Sequence, residues 1–173
     1  MGEPRVVHSA GEIRERLAEV AARISQDYQG KQLILVGILK GAAFLLADLA
    51  RMITGPLDFE FVDVEVSSGD RGEIVHLTYA THIEVSGRHV LVLKDVCHSG
   101  VTENYLITHL SQQHPASIEV VALVDRPHLR SVNLAARYAV FRDDADGYLV
   151  GYGLGLEWGK HTNRPDLCVT ERA

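Results

Sequence analysis

The sequence lacks most of the features that mark membrane, secreted or metal-binding proteins. Only two of its 173 residues are cysteine, Cys97 and Cys168. They lack metal-site spacing and each lies beside apolar residues, which favours buried free thiols. No basic segment leads into an apolar core at the N-terminus, so no signal peptide is predicted. No apolar run approaches the ~20 residues of a membrane-spanning helix. These absences predict a soluble, cytoplasmic protein.

Basic residues are also scarce. Lys and Arg number 17 against 23 Asp and Glu, which gives a formal net charge of −6. Without a basic tract, nucleic acid is not an expected partner, although a local basic pocket for a small phosphorylated ligand remains compatible. No G-x-G-x-x-G motif follows a strand, which disfavours a dinucleotide-binding enzyme. The length suits one domain covering residues 1–173.

Short apolar runs alternate with helical periodicity along the first three-quarters of the chain. The first helix is predicted to begin after Ser9, which forms a capping box with Glu12, and to end near Gly30. The second, residues 42–52, is apolar almost all round and should be well buried. Strands are predicted at residues 33–38, 57–66, 73–80, 89–93, 118–124, 138–141, 148–152 and 167–170, a further strand or hairpin at 81–85, a polar loop at 67–72 and a helix at 102–113. The alternation predicts the α/β class, with a mostly parallel twisted sheet flanked by helices.

The stretch His89–Thr102 gives the clearest functional signal. An apolar strand breaks into Lys94 and Asp95, and a small polar turn at residues 98–102 leads into a helix. Backbone N–H groups at such a turn point towards one spot, and hydroxyl groups lie beside them. The stretch therefore predicts an anion-binding site.

A second candidate anion site follows the strand at residues 33–38. There the turn Leu39-Lys40-Gly41 leads into the second helix. The alternative interpretation is a plain strand–helix connection with an exposed lysine. Ligands of parallel sheets bind beyond the carboxyl ends of the strands, so both turns, Arg126 and residues 148–160 are expected around one cleft.

Four segments in this order resemble the hypoxanthine/guanine phosphoribosyltransferases. They are ADLAR after the Leu-Lys-Gly turn, VLVLKDVCHSGVT, ALVDRP and YLVGYGL. The resemblance implies the type I phosphoribosyltransferase fold, with a small hood built from N- and C-terminal segments. It implies transfer of phosphoribosyl from phosphoribosyl pyrophosphate to hypoxanthine or guanine, which yields the nucleotide and pyrophosphate in purine salvage. It also implies a homodimer or homotetramer.

The same resemblance assigns binding roles to individual positions. The residues implied at the 5′-phosphate are Ser99, Gly100, Val101 and Thr102. The residues implied at the pyrophosphate are Leu39, Lys40, Gly41 and Lys94. The residues implied at the purine are Arg126, Tyr148 and Leu149. Tyr148 would stack on the base. Arg126 stands where the family has a lysine that contacts the 6-oxo group, and its guanidinium group is wider than an ammonium group.

Several positions depart from the family pattern. The usual acidic pair is Lys94-Asp95 here, which leaves Asp95 as the remaining catalytic carboxylate and Mg²⁺ ligand. His98 replaces the aspartate that assists proton transfer at purine N7, and a neutral imidazole can accept that proton. Gly155 replaces a second acidic metal ligand. The loop after Val66 is shorter and lacks the Ser-Tyr pair that closes over the transition state.

These departures leave two interpretations open. In the first, the protein is a working transferase in which Lys94 partly replaces the metal and His98 is the general base. In the second, it is a catalytically impaired regulatory paralogue that binds a nucleotide or phosphoribosyl pyrophosphate. Loss of metal ligands affects catalysis before it affects phosphate binding, because the phosphate turn needs no carboxylate.

Overall fold

The structure is a computed structural model that describes residues 3–69, 72–79, 83–142, 147–155 and 160–170. Within these residues nine strands, three helices and one 3₁₀ turn follow one another. In chain order they are β1 Arg5–His8, α1 Ala10–Asp27, β2 Leu33–Leu39, α2 Ala43–Met52, β3 Leu57–Gly69, β4 Gly72–Tyr79, β5 His89–Cys97, α3 Val101–Ser111, β6 Ser117–Asp125, the 3₁₀ turn Pro127–Leu129, β7 Tyr138–Arg142, β8 Tyr148–Val150 and β9 Leu167–Thr170.

The main sheet has six strands in the order β4-β3-β2-β5-β6-β7. Five of them are parallel, and β4 pairs antiparallel with β3. A separate antiparallel sheet of order β1-β9-β8 joins the two ends of the chain and forms the small hood. The α/β class, the parallel sheet and the hood predicted from the sequence are confirmed.

Helices cover both faces of the main sheet, because its central strands are apolar on both sides. Leu91 and Leu93 of β5 pack in one cluster with the buried faces of α1 and α2. Val90 and Val92, which alternate with them, pack in a second cluster with α3. Each fully buried aliphatic side chain stabilises the fold by roughly 1.5–3 kcal/mol. The carboxyl end of β5 is therefore held between two packed layers.

The first helix begins as predicted, although only half of the capping box forms. The Oγ atom of Ser9 accepts a hydrogen bond from the backbone N–H of Glu12 at 3.3 Å. The Glu12 carboxylate lies 3.0 Å from Nδ1 of His8 and pairs with that ring. At the other end the backbone caps at Tyr28, and Gly30 follows with a φ of +73°. None of the helices in the described ranges is both long and apolar enough to cross a bilayer.

Three details of the sequence prediction are wrong. The polar loop at 67–72 is mostly strand, because β3 and β4 pair continuously from Val62↔Tyr79 to Gly69↔Gly72, and residues 70 and 71 lie outside the described residues. Residues 83–85 form no strand, while residues 81 and 82 are not described. The second helix is not buried all round, since Phe44 is 43% exposed and rests edge-on against Tyr152.

Candidate active site at the carboxyl end of the sheet

The predicted phosphate turn occupies the junction between β5 and α3. Gly100 is the N-cap of α3 and has a left-handed φ of +81°. A Cβ atom at this position would lie 2.9 Å from Cδ of Arg130 and 3.0 Å from Cγ2 of Val132. Both the backbone conformation and the close neighbours therefore require glycine. The Ser99 hydroxyl accepts from the backbone N–H of Val101 at 3.4 Å, and the chain then enters the helix.

Arg130 links the turn to the end of β6. Its Nη1 donates to the backbone carbonyl of His98 and contacts the Cys97 sulfur, both at 2.8 Å, while Nη2 pairs with Asp125. The side chains of Arg130 and Asp125 are only 10% and 5% exposed, so this ion pair is largely shielded from solvent. Burial raises the pKa of Cys97 to about 12, which keeps the thiol neutral. Cys97 is therefore structural, as the sequence indicated.

Backbone hydrogen bonds tie the same turn to the segment that follows β6. The N–H of Ser131 donates to the carbonyl of Ser99 at 3.0 Å. The N–H of Arg126 donates to the carbonyl of Cys97 at 3.1 Å. Residues from β5, β6 and the loop after β6 thus fix the turn in one conformation, and preorganisation of this kind lowers the entropy cost of binding.

The predicted pyrophosphate turn lies directly against Asp95. A cis peptide bond joins Leu39 to Lys40, and a Cβ atom at Gly41 would lie 1.8 Å from Oδ2 of Asp95. Only glycine fits there, so the main chain of this turn and the Asp95 carboxylate are in contact. Lys40 is exposed beside them. The two candidate anion sites predicted from the sequence therefore adjoin one another.

Lys94 and Asp95 form an ion pair at the end of β5. The Nζ atom lies 3.0 Å from Oδ1 of Asp95, and the two side chains are 23% and 21% exposed. The contact is electrostatic, because buried Oδ1 has no partner with hydrogen-bond geometry. Burial lowers the pKa of Lys94, but the attraction of Asp95 and Glu103 outweighs it, so the net pKa is raised. Lys94 is a persistent cation.

Glu103 lies in the first turn of α3 and is only 2% exposed. It shares the buried face of that helix with Leu106 and Leu110. Burial raises the pKa of Glu103, and a hydrogen bond from its own backbone N–H and the charges of Lys94 and Arg130 oppose that rise only in part. When it is ionised, the Glu103 carboxylate is a second negative charge that raises the pKa of Lys94.

His98 is exposed at the start of the turn. Partial desolvation lowers its pKa, and the charges of Arg126, Lys94 and Arg130 lower it further, while Asp95 acts in the opposite direction. The imidazole is therefore neutral at pH 7 and can accept a proton. Three cations therefore lie near the turn, two of them in ion pairs, Lys94 with Asp95 and Arg130 with Asp125.

The predicted purine-binding residues lie next to the phosphate turn. The Arg126 side chain is 5% exposed, and its Nη1 donates to the carbonyl of Gly147 at 3.5 Å. Tyr148 follows that glycine and is 43% exposed, while Leu149 is partly buried against the main core. The strand here ends at Val150 rather than at residue 152. The hood therefore places Tyr148 next in sequence to the carbonyl group that Arg126 binds.

The hood also reaches the pyrophosphate turn. A Cβ atom at Gly153 would lie 3.3 Å from the carbonyl oxygen of Gly41. Through this contact the chain after β8 adjoins the turn after β2. All the predicted site residues thus converge on one end of the sheet, as the topology required.

The acidic residues at this end do not fit a divalent metal held by the protein. No group of three His, Cys, Asp or Glu side chains suited to a metal occurs among the residues described. Oδ1 of Asp95 is buried against an ammonium and Oδ2 faces the main chain of Gly41. A divalent ion about 5 Å from that ammonium would be repelled by roughly 7 kcal/mol at an effective dielectric constant of ~20. The expected Mg²⁺ ligand set is therefore absent in this part of the chain.

Sequence reasoning missed two residues that the structure places at the site. Arg130 carries no local signal in the sequence, and its bonds to the turn could not be inferred without the fold. Glu103 was overlooked, although Glu103, Leu106 and Leu110 recur at helical spacing and share one face. Asp166 accepts a hydrogen bond from the N–H of Ala10 at 2.9 Å and anchors α1.

Comparison with known proteins agrees with this geometry. Residues 7–155 match the family model described as a phosphoribosyl transferase domain. The chain is 35% identical over 160 residues to a hypoxanthine-guanine phosphoribosyltransferase from Mycobacterium avium, covering 88% of this chain and 78% of that one. It is 33% identical over 175 residues to the Bacillus subtilis enzyme of the same name, covering 98% and 94%.

Solved structures give the same result. A hypoxanthine-guanine phosphoribosyltransferase from Bacillus anthracis superposes with a TM-score of 0.89 at 28% identity, covering 98% of this chain and 99% of that one. A hypoxanthine phosphoribosyltransferase from Staphylococcus aureus gives 0.89 at 29% identity, covering 96% and 91%. On fold, matched length and identity, this chain belongs to the hypoxanthine-guanine phosphoribosyltransferase family, a group of glycosyltransferases.

Proposed function

We propose that this protein transfers the phosphoribosyl group of phosphoribosyl pyrophosphate to hypoxanthine or guanine. In this reaction the bond from C1′ of the ribose to the pyrophosphate oxygen breaks and a bond from C1′ to a purine nitrogen forms. The purine gives up one ring proton, and pyrophosphate leaves with the bonding electrons. The products are the purine nucleotide and pyrophosphate.

The observation that carries the proposal is the conformation of the turn at residues 98–102. A glycine in the left-handed conformation opens a helix there, and the side chains of Arg130 and Val132 leave no room for a Cβ atom. The first N–H groups of a helix have no partner within the helix and favour a phosphate. Ser99 and Thr102 add hydroxyl groups, so the 5′-phosphate would bind at Ser99, Gly100, Val101 and Thr102.

The other substrate groups have matching positions around this turn. The pyrophosphate would lie at the Leu39-Lys40-Gly41 turn, where Lys40 is exposed and Lys94 is nearby. The purine would stack on Tyr148 beside Leu149 and accept a hydrogen bond from Arg126 at its 6-oxo group. Asp95 would bind the ribose hydroxyls between these two groups.

His98 would act as the general base. Its depressed pKa leaves the ring neutral, and a neutral imidazole can take the purine proton as the glycosidic bond forms. The surrounding cations would stabilise the pyrophosphate as negative charge develops on it. A homodimer or homotetramer, expected from the family resemblance, is part of the same proposal.

The test is to incubate the protein with phosphoribosyl pyrophosphate and hypoxanthine, guanine or xanthine, and to measure nucleotide and pyrophosphate together. Equal amounts of both products are expected with hypoxanthine or guanine. His98→Asn should abolish turnover while leaving donor affinity nearly unchanged, and the matched variant His109→Asn, on the exposed side of α3, should behave as wild type. Donor binding without nucleotide formation from any base would instead support a role in binding alone.

A further inference from the structure

The charges around the pyrophosphate turn suggest how the donor is bound without a metal ligand set. A divalent ion in a phosphoryl or pyrophosphoryl site neutralises oxygen charges and fixes their position. Here the described residues bring an ammonium to the position where the family has an acidic side chain. That ammonium lies beside the one remaining carboxylate of the pair.

We propose that the Lys94 ammonium takes the place of a divalent cation in binding the pyrophosphate group of the donor, so that this protein binds phosphoribosyl pyrophosphate without metal. The proposal rests on the proposed function, since it concerns the same donor at the same turn. It predicts a binding site whose positive charge comes entirely from the protein.

The position of Lys94 supports this assignment. Its Nζ is 3.0 Å from Oδ1 of Asp95, and the same carboxylate contacts Gly41 through Oδ2. The ammonium is therefore held within a few ångströms of the turn that is expected to bind pyrophosphate. With 23% of its side chain exposed, Lys94 is constrained by its neighbours but still reachable by a ligand.

The two acidic neighbours explain how a cation is kept in this partly buried place. Asp95 pairs with Lys94 directly, while Glu103 attracts it through space from the first turn of α3. Glu103 is 2% exposed, a burial that carboxylates avoid unless a positive charge compensates them. The buried Glu103 is thus compatible with a permanent cation at residue 94. An acidic side chain at residue 94 would instead repel Asp95 and Glu103.

The experiment measures donor affinity by calorimetry in buffer containing EDTA and in buffer containing Mg²⁺. Wild-type protein should bind phosphoribosyl pyrophosphate in EDTA, with an affinity that Mg²⁺ changes by less than about threefold. Lys94→Met should lose about tenfold or more of the metal-free affinity, as expected for one lost charge-assisted contact. Because Mg²⁺ also binds free pyrophosphate groups, each variant is compared with wild type in the same buffer.

Two further variants keep the test decisive. Lys31→Met makes the same chemical change just before β2, at the opposite end of the sheet, and should leave donor affinity unchanged. Lys94→Met/Glu103→Leu removes the ammonium together with its buried counter-charge. It should fold even if the single variant does not, and it should show the same loss of metal-free affinity.

The outcomes separate the two proposals. Donor binding by wild type only in Mg²⁺, with nucleotide still formed, would overturn the role of Lys94 and leave the transferase function standing. Equal metal-free affinity of wild type and Lys94→Met would also overturn it. No donor binding in either buffer would remove the transferase function and, with it, the inference drawn from that function.

Discussion

Removing the Lys94 charge should destabilise the protein through Glu103. In Lys94→Met the Glu103 carboxylate keeps its burial, at 2% exposure, but loses the cation that lowers its pKa most. Two unit charges in an effective dielectric of ~20 interact by roughly 4 kcal/mol at 4 Å, and the energy falls in inverse proportion to their separation. Removing one partner of a buried pair typically costs about 3–5 kcal/mol, and protonation of Glu103 limits the loss. We therefore expect a loss of about 2 kcal/mol in the free energy of unfolding at pH 7.5.

The double variant tests whether that loss comes from Glu103. In Lys94→Met/Glu103→Leu the new leucine joins Leu106 and Leu110 on the buried face of α3. The unfolding free energy should return to within about 1 kcal/mol of wild type. Replacing both members of a buried charged pair by apolar residues often leaves stability unchanged or higher. Exposed Glu15 on α1 provides a control, because Glu15→Leu should rescue nothing.

The pH dependence gives a second signature. In Lys94→Met the Glu103 pKa, already raised by burial, should rise further above its unfolded value. A carboxyl group whose pKa is higher in the folded than in the unfolded protein destabilises the fold when it is ionised. This destabilisation is largest above the folded-state pKa and decreases as the pH falls and the group becomes protonated. Denaturation by urea should therefore show a smaller deficit for Lys94→Met at pH 5 than at pH 8. A deficit that is independent of pH, or that persists in the double variant, would refute the coupling.

Three other predictions follow from the site. Gly100→Ala should lose about 2 kcal/mol or more of unfolding free energy, because its φ is +81° and its neighbours lie within 3.0 Å; Gly30→Ala, with a φ of +73° and open space, should lose less. Thermal or urea unfolding of both variants measures the difference, and equal losses would contradict the crowding at Gly100. The value of kcat/KM should decrease as the pH is lowered below 6.5, because His98 becomes protonated. This decrease should be missing from any activity that His98→Gln retains. Arg126→Met should raise KM for the purine by about tenfold with a much smaller effect on the donor, in steady-state kinetics with each substrate varied.

Much of the fold followed from the sequence because the apolar runs are short, β-branched and separated by helical periodicity. The apolar runs at β2, β5 and β6 are typical of parallel strands that are buried on both faces of a sheet. In a parallel sheet the turns after β2 and β5 lie at the same end. The first helix was predictable in the same way from its cap and its apolar stripe. These are local signals that tertiary structure reinforces.

The errors arose where the partner strand or the surroundings decide the structure. Ser67 and Ser68 are poor strand formers, yet their backbone pairs with Ile74 and Glu73 in the antiparallel ladder. Strand propensity depends on such pairing, which a single segment does not show. Phe44 is apolar but exposed, because the hood places Tyr152 beside it without covering it.

The positions of the two turns were predictable, but the electrostatics around them were not. The motifs identified the turns, whereas the coupling among Lys94, Asp95 and Glu103 depends on two elements meeting in space. Arg130 contacts residues up to 33 positions away, and no local pattern reveals such contacts. Charge networks of this kind require the fold.

A crystal structure of the protein with inosine monophosphate, the nucleotide expected from hypoxanthine, tests the phosphate turn most directly. The 5′-phosphate should accept hydrogen bonds of about 2.7–3.2 Å from the backbone N–H groups of residues 100–102, with the base against Tyr148. A nucleotide bound elsewhere, with these N–H groups turned away from any phosphate, would contradict this prediction.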